Sequence, residues 1–266
     1  MSKSTGNKQR LDILLVERGL FDSRETAKRF IMAGEVLVNE EVIIKPGQRV
    51  SEQAVLRVKE RPRFVSRGGE KLAAALEAFQ IVPDAWICAD IGASTGGFTD
   101  CLLQAGAAHV YTVDVGYGQL AWSLRQDQRV TVMERTNARY LDALPERVDF
   151  VSMDVSFISL SLLFPRLSDW LKPDGQVVAL IKPQFEAGKS EVGKGGVVRD
   201  PSVHRRVLLE TLNHALRSDY HPHGLIPSPL RGPSGNVEFL TWLRPNLSDE
   251  PLERMVEAAL ISIPPE

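Results

Sequence analysis

The chain has 266 residues, 43% of them hydrophobic and 25% charged, with a formal net charge of −2. That length accommodates one large domain with a small one, or two of ordinary size, and the composition is that of a soluble globular protein. No apolar run approaches a membrane span, MSKSTGNKQR lacks a signal peptide's apolar core, and Cys88 and Cys101 show neither metal nor redox spacing, so a reducing cytoplasmic setting without a metal is expected.

Charge is unevenly spread. Residues 1–65 carry 13 Lys and Arg against 9 Asp and Glu, whereas the remainder carries 19 against 25. A basic leader on an acidic body points the leader toward a polyanion. Within it, RLDILLVERGL reads as a short helix ended by Gly19. Asp22 reads as the next N-cap, with Glu25 at capping-box spacing, and that helix runs through Ala27, Phe30 and Ile31 to Gly34. Arg24, Lys28 and Arg29 can share a face away from this apolar stripe. EVLVNEEVIIKPGQRV gives two short β-rich runs with a turn near Asn39, and AVLRVK gives a third after Pro46-Gly47. Over SRETAKRFIMAGEVLVN the module resembles the S4 RNA-binding domain, although Glu40 stands where glycine usually follows the asparagine. The resemblance implies an RNA partner, met by Arg10, Arg24, Lys28, Arg29 and Lys45. The module is expected over 8–60, with a linker at 61–66.

The rest of the chain alternates. KLAAALEAF is helical by spacing, and strands fall near 86–90, 109–114, 130–134, 148–153 and 177–181 with helical stretches between them. This pattern implies an α/β fold, a doubly wound, Rossmann-like parallel sheet. HGLIPSPL and NVEFLTWLR, separated by RGPSG, read as a hairpin added at the sheet edge. The body is expected over 67–246, followed by a C-terminal helix or tail over 247–266.

Residues 90–98, DIGASTGGF, join the first of these strands to a helix. Gly92, Gly96 and Gly97 let the backbone turn tightly there and approach a ligand. Asp114, 22 positions after Gly92 at the end of HVYTVD, can accept hydrogen bonds from a ribose diol. A nucleoside-containing cofactor is therefore expected at the carboxyl ends of the sheet. The spacing G-x-x-x-G-G is not the one that seats a pyrophosphate, and Asp90 would repel a diphosphate. S-adenosylmethionine, with its sulfonium and ammonium, suits that charge.

Polar residues stand at the strand ends. Asp154 follows VDFVSMD, Lys182 follows VVALI, Glu238 lies in NVEFL, and Lys71 starts the helix after VSRGGE. Strand carboxyl ends face one crevice, so Asp154 and Lys182 should point at the ligand, but spacing does not bring all four together. Their order resembles the Lys-Asp-Lys-Glu tetrad of the FtsJ-like ribose 2′-O-methyltransferases. VSRGGEKL, DIGASTGGFTD, VDVGYGQLAWSLR, ERTNAR, DVSFISL, LIKPQFE and GPSGNVEFL are together similar to the TlyA family, bacterial rRNA cytidine 2′-O-methyltransferases once labelled hemolysins. Ser94-Thr95 replaces the Ala-Pro of the broader FtsJ group, which favours this subfamily over a cap methyltransferase. The resemblance, from about Arg10 to Arg244, implies S-adenosylmethionine as cofactor and ribosomal RNA or subunits as partner. It implies a cofactor site of Asp90, Gly92, Ser94, Thr95, Gly96, Gly97, Phe98, Asp114, Asn137 and Asp154. Lys71, Asp154, Lys182 and Glu238 would form the reacting centre, and Arg67, Arg135 and Arg139 would add RNA contacts.

The chemistry follows from the residue types. A ribose 2′-hydroxyl is a poor nucleophile until its proton leaves, whereas a methyl sulfonium is already reactive, so alignment is the main demand. A lysine near a second cation can take that proton, with Asp154 and Glu238 holding lysines and hydroxyl in place. Two rival readings make other demands. A membrane-perforating hemolysin needs an apolar span, a β-barrel pattern or a strongly amphipathic basic helix, and none is evident. A non-catalytic RNA-binding assembly protein would show damage to the glycine turn or the tetrad, and both are intact.

Overall fold

The computed structural model describes residues 7–59, 62–188 and 190–263. The chain forms two compact units, one ending at Pro62 and the other beginning at Arg63.

In the first unit β1 (Lys8–Arg10) leads into α1 (Leu11–Glu17), and α2 (Arg24–Met32) packs on α1. The N-cap of α2 is Ser23, not Asp22: its backbone is extended and its Oγ accepts from Thr26 N at 3.2 Å. A cap oxygen has to reach the third helical amide, and only Ser23 stands at that distance. β2 (Val36–Val38) and β3 (Glu41–Val42) form a hairpin whose turn residues, Asn39 and Glu40, are both left-handed at φ 49° and 66°. The tight turn forms without the usual glycine, with Glu40 carrying a conformational cost of roughly 1 kcal/mol. β4 (Arg49–Ser51) pairs antiparallel with β1, and β5 (Leu56–Val58) with β2. Leu11, Leu14, Leu15, Ala27, Ile31 and Val36 fill the core. Asp12 is fully buried beside it, accepting from Arg10 (3.0 Å) and Arg24 (2.8 Å). The Arg10 hydrogen bond outweighs burial and holds its carboxyl at about 2.

The second unit is an α/β domain: α3 (Gly68–Ala78), β6 (Ile87–Ile91), α4 (Gly97–Gln104), β7 (His109–Val113), α5 (Trp122–Arg125), β8 (Val130–Met133), β9 (Val148–Met153), α6 (Leu167–Trp170), β10 (Leu171–Ile181), α7 (Pro183–Glu186), α8 (Pro201–Leu216), β11 (His221–Pro227), β12 (Phe239–Arg244) and α9 (Leu252–Ile261). The seven strands lie in the order β11-β12-β10-β9-β6-β7-β8, and all run the same way except β12, which is antiparallel to both β10 and β11. Successive strand residues face opposite layers. Phe150 joins Leu72, Leu102 and Leu240 on one face, while Val151 joins Phe164, Trp170 and Leu212 on the other. From β6 the chain winds to β7 and β8 on one side and then crosses to β9 on the other. The crevice beyond the carboxyl ends of β6 and β9 is therefore the topological switch point, where open α/β sheets hold ligands.

Two expected boundaries move. Residues 60 and 61 lie outside the described ones and Pro62 closes the first unit, but residues 63–66 of the expected linker belong to the body. Phe64 is buried against Gly69, whose hypothetical Cβ would lie 2.2 Å from the ring, and Val65 N donates to Asp100 Oδ2 at 2.8 Å. At the other end the expected C-terminal helix is α9, and it is part of the body, since Met255, Val256 and Ala259 enter the core against α8 and β11.

Candidate active site

The glycine turn is shaped first by the protein itself. At Gly92 (φ 85°) the chain leaves β6 so close to the end of β9 that a Cβ would sit 2.6 Å from the Asp154 carbonyl oxygen. A Cβ on Gly97 would lie 2.8 Å from Gly69 N at the start of α3. Gly96 (φ 94°) is turned inward, toward Leu120 and Leu124, so it shapes the turn without facing a cavity. Asp90 likewise does not reach a cavity. It is fully buried under the turn, accepting from Thr99 N (2.9 Å), Thr99 Oγ1 (2.7 Å) and Ser152 Oγ (3.2 Å). These neutral donors include an otherwise unpaired amide of the first turn of α4, and they do not offset burial, which pushes the carboxyl up to about 7.

Two cavities, each of about 750 Å³, open at the switch point. The first brings the tetrad together. Lys71, in the first turn of α3, pairs with Glu238 just before β12 at 2.5 Å, and Lys182 at the end of β10 pairs with Asp154 at the end of β9 at 2.6 Å. Lys71, Lys182 and Glu238 are buried, and two cations matched by two carboxylates leave the cluster neutral, which makes its burial tolerable. Lys182 Nζ also donates to Ser156 Oγ at 2.9 Å, and Gln184 Nε2 to Glu238 Oε1 at 3.2 Å. Thr95, Gly97, Phe98, Arg67 and Arg231 complete this wall.

The second cavity has a different lining, with Ile91, Val113, Ala138, Ile158 and Leu163 as apolar walls. At its floor the Asp114 carboxylate is fixed by two backbone amides, Ser94 N at 2.8 Å and Gly116 N at 2.6 Å. Asn137 caps a short turn there through Arg139 N, at 3.0 Å. Gly92, Ser94, Asp154, Ser156 and Phe157 border both cavities, so the two adjoin at Asp154.

Residues 64–245 match the FtsJ-like methyltransferase family, and residues 9–56 match the S4 domain. The relative TlyA of Mycobacterium tuberculosis, named a 16S/23S rRNA (cytidine-2′-O)-methyltransferase, is 50% identical over 94% of this chain and 97% of its own. The chain belongs to the TlyA family. YqxC of Bacillus subtilis is 51% identical over 96% of this chain and 95% of its own. The solved structure of a Streptococcus thermophilus protein described as a hemolysin is 45% identical, covers 96% of each chain and superposes with a TM-score of 0.72. Among the described residues no helix is long and apolar enough to span a bilayer. Nor do those residues hold a His, Cys, Asp and Glu cluster able to bind a metal.

The expected RNA contacts of this TlyA-family chain divide by surroundings. Arg10 and Arg24 are tied to Asp12, and Lys28 to Glu25 at 2.7 Å, whereas Arg29 and Lys45 are exposed. Arg67 borders the tetrad cavity. Arg135 lies over the Tyr117 ring at 4.3 Å, and Arg139, over Tyr140 at 5.5 Å, borders the second cavity. Sequence reasoning missed Ser156, Gln184 and Arg231. Ser156 and Gln184 sit two positions after a tetrad member, but nothing in that spacing distinguishes them from other loop residues.

Proposed function

We propose that the chain transfers a methyl group from S-adenosylmethionine to the 2′-hydroxyl of a cytidine ribose in ribosomal RNA. The observation that carries this reading is the meeting of the tetrad, three of its four members buried, with the Asp114 cavity at one residue, Asp154. The second cavity suits the cofactor: apolar walls for an adenine, and a rigidly held carboxylate at the strand end for a ribose diol. Asp114, Ser94, Asn137 and Gly92 are the residues that would hold it. When bound, S-adenosylmethionine supplies an electrophilic methyl group.

The protein's residues do the rest. Lys182, paired with Asp154 where the two cavities adjoin, first sheds one ammonium proton to solvent, so that its neutral Nζ can receive the 2′-hydroxyl proton, and Asp154 pairs with the ammonium that results. Lys71, fixed by Glu238, supplies positive charge on the far side of the reacting oxygen, and the pairs orient that oxygen toward the adjoining cavity. The S4 unit brings the RNA partner, and the choice of cytidine follows the name of the Mycobacterium tuberculosis relative. The test is incubation of purified protein with labelled cofactor and ribosomal subunits lacking the mark, followed by nucleoside analysis. Label in 2′-O-methylcytidine is expected; label on a base, or on no RNA, overturns the reading.

A further inference from the structure

The tetrad has two ion pairs, and each carries one neutral side chain on its outer side. Lys182 reaches Asp154 at 2.6 Å and Ser156 Oγ at 2.9 Å, while Glu238 reaches Lys71 at 2.5 Å through Oε2 and Gln184 Nε2 at 3.2 Å through Oε1. We infer that Ser156 and Gln184 are positioning residues of the methyl transfer, so that the working centre is six side chains. This inference rests on the proposed 2′-O transfer but not on the identity of the nucleotide.

An ammonium has three donors on a flexible four-carbon stem, and one carboxylate alone leaves it free to swing about a single contact. A second fixed acceptor defines where Nζ sits. Ser156 provides it, and it borders both cavities, so it holds Lys182 at the place where ribose and methyl donor have to meet. The Glu238 carboxylate, an acceptor only, obliges Gln184 to present its nitrogen. Glu238 is walled on another side by Gly232, where a Cβ would stand 2.6 Å from Oε1. Gln184 thus closes a cage around the carboxylate that fixes Lys71.

The two braces sit on segments that are themselves clipped together. Ser156 follows β9, and Gln184 lies in α7 directly after Lys182. Between them the Glu186 carboxylate accepts from Ser159 Oγ at 2.6 Å and Leu160 N at 2.8 Å. That strut makes the registry of Lys182 against Ser156 a fixed feature of the fold. Reactions that depend on alignment lose about 100-fold in rate for a misplacement of an ångström.

The test compares Ser156→Ala, Ser156→Thr and Gln184→Leu with wild type on unmodified ribosomal subunits, reading kcat, KM for RNA, cofactor affinity by calorimetry and thermal midpoint. Ser156→Ala is expected to lower kcat by about 10- to 100-fold, with KM and cofactor affinity within about 2-fold and the midpoint unchanged. Ser156→Thr, which keeps the hydroxyl, restores most of that rate, and Gln184→Leu lowers kcat in the same manner as the alanine variant. Wild-type kcat in Ser156→Ala overturns the inference. So does a loss of rate matched by losses of cofactor affinity and stability, which marks a structural role only. If wild type itself methylates no ribose the proposed function has failed, an outcome visible before any variant is measured.

Discussion

The two cavities at the switch point have similar volumes and share five border residues, yet they are built by opposite means. The tetrad cavity is organised by four charged side chains, three of them buried, from four different places in the fold, each held by another side chain. The Asp114 cavity is organised by backbone: two main-chain amides fix its carboxylate, and its walls are apolar. A site that moves a proton needs charge that a substrate can perturb, whereas a site that only grips needs fixed donors, acceptors and a dry wall. The difference teaches where to look for selective damage: substitutions in one half should cost turnover, and those in the other should cost affinity.

The largest expected effect lies outside both halves. Removing residues 1–60 deletes the only net-basic part of the chain, and RNA affinity should fall by more than about 100-fold while cofactor affinity stays at the wild-type value. Filter binding and calorimetry on the same preparation check both numbers. Unchanged RNA affinity would move recognition to Arg67, Arg135 and Arg139 on the body. Next is Asp114→Ala, which should weaken cofactor binding by roughly 10- to 100-fold, the value of a hydrogen bond to a charged acceptor. Equal affinity for mutant and wild type would remove Asp114 from the gripping half.

Smaller effects sharpen the same division. Arg24 is a poor choice for charge reversal because it supports Asp12, so Arg29 and Lys45 are the cleaner pair. Reversing both to Glu should weaken RNA binding and lower its salt slope by about two units, one for each phosphate left without its cation. A titration in which neither affinity nor slope changes would give that face a solvating role only. The smallest effect is at Asp90, whose carboxyl titrates at about 7 when folded, against an ordinary value of 3.8. The folded protein keeps a proton that the unfolded chain has released, so this group costs stability progressively as pH rises from about 4 to about 7, and by a constant amount above that. Asp90→Asn preserves the shape and should gain stability over wild type at pH 8 relative to pH 4, with cofactor affinity intact. Denaturant melts at the two pH values read the first part. A loss of cofactor affinity would return Asp90 to the gripping half.

Much of the fold and site was legible in the chain, for reasons that differ by element. The parallel strands are apolar runs of a length that only buried strands have, and 87–91, 109–113 and 148–153 fall within a residue of the expected limits. The tetrad was legible as an ordered set of four motifs, though only the fold brings Lys71 and Glu238, 167 positions apart, together. Side-chain direction was not legible. A carboxylate before a glycine turn reads the same whether it faces a ligand or, like Asp90, the buried start of α4. The cap at Ser23 rather than Asp22 turned on a single backbone position. The short strand β1, its three residues lacking any alternation, declared itself only through pairing with β4.

The account stands most directly on Lys182. Calorimetric cofactor affinity and single-turnover methyl transfer to unmodified ribosomal subunits, measured together on Lys182→Ala, separate the two halves in one experiment. The account predicts that transfer is abolished while cofactor affinity stays within a few-fold of wild type. Turnover at the wild-type rate, or a loss of transfer explained wholly by weakened cofactor binding, would contradict it.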